Sequence, residues 1–229
     1  MMRIGILDCS TLSGTSLEAY GSVGELVINW LSPHFPGAEF HRISVSGGDA
    51  LPAAGGFDAF ILPGSEKGVC DDTEWMAPLQ ALLLEIRTNR TPLVGICFGH
   101  QLMAHTFGVR AEKADLGMCV GTKEYLVDGE RLKGHVLHQD QVVEAPPGAT
   151  VFGSADYCPI GALQYDFPAI SIQFHPEYTP EFMQDVVGYF RAEGLSADDA
   201  ADVEASLKTV PPKDLYAAKI VEFFDGALV

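Results

Sequence analysis

The chain has 229 residues, 47% of them hydrophobic and 20% charged, which suits one large α/β domain and excludes a disordered chain. Its 14 Lys and Arg against 31 Asp and Glu give a net charge of −17, a surface that repels nucleic acid and anionic membrane and points to small-molecule chemistry in a soluble protein. Five scattered cysteines (Cys9, Cys70, Cys97, Cys119, Cys158) with no C-x-x-C pair exclude a disulfide framework or a zinc ribbon. No apolar stretch approaches a membrane span, and Met1 to Asp8 lacks the character of a signal peptide. A reducing cytoplasm is the expected location.

Arg3 to Leu7 reads as a short buried strand, followed by a polar loop from Asp8 to Ser16. Val23, Leu26, Val27, Trp30 and Leu31 fall at helical spacing, which predicts a helix from Tyr20 to Leu31 stopped by Pro33 and Pro36. Glu39 to Ser44 alternates like a strand, and Phe57 to Leu62 is the next, ending at Pro63-Gly64-Ser65. A helix from Trp75 to Asn89, a strand from Leu93 to Ile96 and a helix from Phe98 to Phe107 follow. This alternation predicts a mostly parallel central sheet flanked by helices. The second half changes character. Residues 122–127, 134–137, 141–144, 150–154, 160–165 and 169–174 are short strand-like runs between turns, an antiparallel β flank whose last member returns to the main sheet. A helix is expected over 180–193, a short one capped by Ser196 in an acidic piece, and a last one over 213–224. One domain over 1–229 is expected, with a helical extension from about 194.

Gly95-Ile96-Cys97-Phe98-Gly99 carries a cysteine between two glycines, at the junction of a predicted strand and helix. That is the pattern of a nucleophile elbow, a tight turn that glycines permit and that presents the thiol at the positive end of a helix. A cysteine nucleophile needs a base, a group to orient the base, and donors for the developing oxyanion. His175 follows a predicted strand end, and Glu177, two residues on in an extended segment, points the same way and can accept the imidazole N–H. The backbone N–H groups of Phe98 and of Gly64 or Ser65 are the candidate oxyanion donors. His100 and His105 do not have the spacing of a zinc pair, so no metal is expected. Cys70, just past the Pro63-Gly64-Ser65 turn, is the one other cysteine placed to approach Cys97.

Three blocks carry a resemblance: Gly95-Ile96-Cys97-Phe98-Gly99-His100-Gln101, Gln173-Phe174-His175-Pro176-Glu177 and Leu62-Pro63-Gly64-Ser65. In this order they resemble the class I (triad) glutamine amidotransferases, over roughly Phe57 to Phe190. The resemblance implies a flavodoxin-like three-layer fold and hydrolysis of the glutamine side-chain amide through a γ-glutamyl thioester, with no cofactor. It makes Cys97 the nucleophile, His175 the general base and acid and Glu177 its partner. Gln101 and Ser65 are implied at the substrate, together with the loop His138-Gln139-Asp140.

The sequence contains no P-loop, and no synthetase domain is expected beside the amidotransferase-like fold. Three readings stay open. In the first, similar to standalone γ-glutamyl peptidases, the protein cleaves glutamine or a small γ-glutamyl compound by itself. In the second, similar to the amidotransferase part of GMP synthase, it is a glutaminase subunit that delivers ammonia to a separate synthase partner. The third is a non-catalytic binding module on the same fold, disfavoured because Cys97, His175 and Glu177 are all present.

Overall fold

The computed structural model describes residues 1–227. Helix α1 (Val23–Leu31) joins strands β1 (Met2–Asp8) and β2 (Ala38–Ser44), a loop leads from β2 to β3 (Ala59–Leu62), helix α2 (Met76–Asn89) joins β3 to β4 (Leu93–Ile96), and α3 (Phe98–Thr106) leaves β4 directly through Cys97. β3 and β4 are buried along their whole length, as strands covered on both faces must be. Side chains alternate across them. Phe60, Leu62 and Leu93 join Leu79, Leu83 and Ile86 of α2 and Leu102 and Met103 of α3 on one face. Ile61, Val94 and Ile96 join Val27, Trp30 and Leu31 of α1 on the other.

The second half adds β5 (Ala111–Lys113), β6 (Cys119–Val127), β7 (Glu130–His138), β8 (Asp140–Val142), β9 (Thr150–Ala155), β10 (Cys158–Gln164) and β11 (Ala169–Ile172). Among the described residues, nine strands form one sheet in the order β2-β1-β3-β4-β11-β10-β9-β6-β7, and β5 and β8 form a small antiparallel pair. Pairing is parallel from β2 through β11. It is antiparallel from β11 to β7. The antiparallel flank thus extends the central sheet itself, because β11 inserts beside β4 and brings β10 with it.

The structure departs from the sequence reading at several element ends, most clearly at the first helix and at the strand before His175, and it adds one short strand. The first helix starts at Val23 rather than Tyr20: Gly21 has φ 78°, and Ser22 and Glu25 form a reciprocal capping box, so Glu18–Tyr20 is a separate 3₁₀ turn. The strand read as 169–174 ends at Ile172, where Gln173 and Phe174 bend out of the sheet on their way to His175. Strand β5 was not read from the sequence, being three residues long with only Ala111 buried.

Helices α4 (Pro180–Ala192), α5 (Ala197–Ser206) and α6 (Lys213–Ala227) close the chain. The Ser196 side chain caps α5 as expected, accepting from the Asp199 N–H at 3.1 Å. α5 lies on β6, where Ser206 Oγ accepts the Thr122 N–H at 2.9 Å. α6 packs with α1: Tyr216, Ile220 and Phe224 enter its core, and Trp30 Nε1 donates to the Lys213 carbonyl at 3.0 Å. Leu228 and Val229, the last two residues of the expected extension, lie outside the described residues. No described helix is long and apolar enough to cross a membrane.

Candidate active site

Cys97 sits between β4 and α3 with φ 51° and ψ −101°. Such a backbone costs a non-glycine residue about 1–3 kcal/mol and persists only where the surroundings hold it. Here they do. Its N–H donates to the Ile172 carbonyl at 2.8 Å, and its carbonyl accepts from Gln101 N–H at 3.0 Å. The flanking glycines are required by packing: a Cβ on Gly95 would lie 2.5 Å from Met103 Sδ, and one on Gly99 would collide with the Leu62 carbonyl oxygen. Cys97 itself keeps only 5% of its surface exposed, in the wall of a cavity of about 270 Å³.

His175 is brought to the same cavity from the end of β11. Its N–H donates to the His135 carbonyl at 2.8 Å, a bridge to β7 that fixes the backbone. Its ring lies flat on Tyr178, with centroids 3.9 Å apart and planes 6° from parallel. Nδ1 bonds Glu177 Oε1 at 2.6 Å, both groups almost fully buried. A Cβ on Gly64 would stand 2.8 Å from His175 Cε1, so the loop after β3 presses the ring from a further side. Burial alone would strip the proton from this imidazole. The Glu177 carboxylate and then the Cys97 sulfur outweigh it, and the pKa is pushed up to about 10. Nε2 has no hydrogen-bond partner among the described residues.

The remaining residues expected at the site divide in two. Ser65, Gln101, His138, Gln139 and Asp140 all line the cavity. Glu177 stands behind His175, Gly64 flanks it, and Phe98 is the buried first residue of α3, where helical N–H groups lack intrahelical acceptors. Several side chains are already engaged. Ser65 Oγ donates to the Cys9 carbonyl at 2.9 Å and accepts from Lys67 N–H at 3.1 Å. Gln101 Nε2 donates to the Asp140 carbonyl at 2.8 Å and to Gln173 Oε1 at 3.1 Å, so α3 anchors the 138–140 loop. His138 Nδ1 donates to the same carbonyl at 3.0 Å, which assigns the tautomer and leaves Nε2 as an unpartnered acceptor. Burial lowers the His138 pKa to about 4, so that acceptor is free at neutral pH.

Cys70 is exposed and is not part of the cavity wall. His100 is a satisfied core residue: Nδ1 pairs with Ser171 Oγ at 2.7 Å and Nε2 with the Ile160 carbonyl at 3.0 Å, and burial lowers its pKa to about 3. No group of His, Cys, Asp or Glu among the described residues is arranged to hold a metal.

Two contributors were missed by sequence reasoning. Gln173, fully buried, donates from Nε2 toward Cys97 Sγ at 3.5 Å. Tyr178 supplies the face on which His175 stacks. A signal for the first was available. Ser171, Gln173, His175 and Glu177 recur at a spacing of two through an apolar neighbourhood, and all four are buried.

A three-layer sheet with a cysteine elbow at β4, and a histidine and a carboxylate arriving after β11, defines the class I glutamine amidotransferases. The chain belongs to that family: the family model for glutamine amidotransferase class-I matches residues 37–187. Among curated relatives it is 26% identical over 184 residues to gamma-glutamyl peptidase 3 of Arabidopsis thaliana, covering 73% of this chain and 74% of that one. It is 34% identical over 149 residues to the glutamine-hydrolyzing GMP synthase of Clostridium novyi, covering 60% of this chain but only 29% of that larger protein. A glutamine amidotransferase structure from Methylobacillus flagellatus superposes with a TM-score of 0.75 at 20% identity, over 100% of this chain and 95% of that one. One from Thermotoga maritima does so with a TM-score of 0.74 at 18% identity, over 97% and 98%.

Proposed function

We propose that the protein hydrolyses the γ-glutamyl amide bond of glutamine or of a small γ-glutamyl compound, through a γ-glutamyl thioester on Cys97. The single observation that carries this reading is the buried Glu177–His175 pair at 2.6 Å, which holds a proton on the imidazole beside the strained, cavity-facing Cys97. In this reading the Cys97 thiolate attacks the amide carbonyl, forming the C–S bond. The N–H groups of Phe98 and Gly64 receive the oxyanion charge. His175 donates its proton from Nε2 to the departing nitrogen as the C–N bond breaks. It then takes a proton from the water that attacks the thioester, and glutamate and the Cys97 thiolate are released. Glu177 keeps Nδ1 protonated throughout. Gln101 holds the 138–140 loop against the glutamyl end, with Ser65, His138, Gln139 and Asp140 around it.

Likeness to a γ-glutamyl peptidase over most of both chains favours an enzyme acting by itself. Likeness to the GMP synthase of Clostridium novyi supports the second reading, a glutaminase subunit feeding ammonia to a synthase partner. Free cysteines throughout suit the cytoplasm in either case. The test is to incubate the full chain with glutamine and a panel of γ-glutamyl dipeptides and follow glutamate and the freed amine. Turnover lost in Cys97→Ala supports the hydrolase; stimulation only by a co-purifying synthase supports the subunit. No turnover and no thioester with any compound overturns both.

A further inference from the structure

The cavity has two chemically different ends. One end is polar, built by Ser65 to Gly68 after β3 and by His138 to Asp140 at the junction of β7 and β8. The other is apolar. Leu12 and Leu17 come from the loop after β1, Tyr178 and Phe182 from the start of α4, and Phe190 from its last turn. These side chains are not a passive wall of one element. The loop after β1 is tied across the site by Glu66, which accepts the Thr11 N–H at 2.9 Å, and by Tyr20, whose hydroxyl donates to Asp185 of α4 at 2.6 Å.

The identity of the apolar end follows from where the proton is. On the hydrolase reading above, His175 protonates the departing nitrogen, so the leaving group must lie on the His175 side. His175 stacks on Tyr178 at 3.9 Å, and Tyr178 packs on Phe182 with centroids 4.5 Å apart. The aromatic wall therefore begins at the acid itself and continues through Tyr178 to Phe182. Ammonia, the leaving group of glutamine, has no use for such a surface, and an apolar cavity wall left unfilled forfeits its contacts.

We infer that the preferred substrates are γ-glutamyl amides whose leaving amine carries an apolar, aromatic-sized group. That group seats against Leu12, Leu17, Tyr178, Phe182 and Phe190, while the glutamyl α-ammonium and α-carboxylate take the polar end. The reaction balances as for glutamine: water adds across the C–N bond, one proton goes to the amine, and glutamate is released. Met118, 44% exposed at the rim, is a flexible side chain that can adjust to groups of different shape.

The test compares kcat/KM of the full chain for γ-glutamyl-phenylalanine, γ-glutamyl-glycine and glutamine. The expected result is a preference of about tenfold or more for the phenylalanine compound, the scale of discrimination an apolar pocket supplies. Phe190→Ala is expected to cut the ratio of phenylalanine to glycine compound about tenfold, and Phe190→Leu to restore part of it. Equal rates for all three compounds, each abolished by Cys97→Ala, overturn this inference and leave the hydrolase reading standing. So does a preference for glutamine. Absence of any Cys97-dependent glutamate release overturns both.

Discussion

Two histidines face the same cavity and are buried alike, yet their protons behave in opposite ways. His175, at the end of the parallel half, has its pKa pushed up to about 10, whereas His138, at the end of the antiparallel hairpin, has its own lowered to about 4. Burial acts in the same direction on both. What separates them is first the partner on Nδ1, a carboxylate oxygen of Glu177 for His175 and a neutral carbonyl of Asp140 for His138, and then the Cys97 sulfur, which raises the pKa of His175 alone. One region is thus equipped to hold and deliver a proton, the other to offer a fixed lone pair. A place in the cavity wall does not make a histidine an acid; anionic neighbours do.

The largest effect expected is loss of the nucleophile. Cys97→Ala should lower glutamate release by about 10⁴-fold or more while leaving the fold intact by circular dichroism. Glu177→Gln tests the comparison itself, because it gives His175 the kind of neutral partner that His138 has. Turnover should fall by about 10²–10⁴-fold, and the His175 ring, followed by NMR, should titrate well below the value of about 10 it has with Glu177 in place. A ring that still titrated near 10 in that variant would show that Glu177 is not the cause. Gly64→Ala puts a methyl 2.8 Å from His175 Cε1 and should displace the ring, lowering kcat by about 10²-fold. The smallest effect belongs to His138. His138→Gln should raise KM for γ-glutamyl substrates severalfold with a smaller change in kcat.

The same contrast sets the pH dependence of stability. His100, His135 and His138 stay neutral in the folded chain down to about 3, 4 and 4, while in the unfolded chain they take up protons near 6.5. Stability therefore falls as pH drops from 6.5 towards 4, by up to about 1.4 kcal/mol per pH unit for each. His175 has the opposite sign. Its folded pKa is raised to about 10, so its contribution is complete below 6.5 and disappears as pH rises from there to 10. Denaturant melts between pH 4 and 10 check both limbs. His138→Gln should flatten the acid limb by one histidine's share.

How far the sequence reveals this site depends on how local each part is. The elbow was legible because Gly95, Cys97 and Gly99 fall within five consecutive residues and close packing admits no side chain at either glycine. The His175–Glu177 pair was legible because both lie in one extended segment. The central strands were legible as short apolar runs, since parallel strands covered on both faces leave no polar alternation to confuse them. Partnerships across the chain were not. That Gln101 is spent on holding the Asp140 carbonyl, and that Gln173 reaches Cys97, depends on β11 inserting beside β4 and on the hairpin folding back to it. The apolar end of the cavity was equally hidden, because Leu12, Leu17 and Phe190 come from segments far apart and each reads alone as ordinary core. The helix start at Val23 was missed for a local reason: it is set by Gly21 and the Ser22–Glu25 capping box, which the apolar periodicity of Val23 to Leu31 does not mark.

The central claim is that Cys97 carries the γ-glutamyl group. Its most direct test is acid quenching of the full chain during turnover of γ-glutamyl-phenylalanine or glutamine, followed by intact mass and peptide mapping. The account predicts one γ-glutamyl adduct on the peptide containing Cys97, discharged by hydroxylamine and absent from Cys97→Ala. Glutamate released by Cys97→Ala at the rate of the unaltered chain would contradict it.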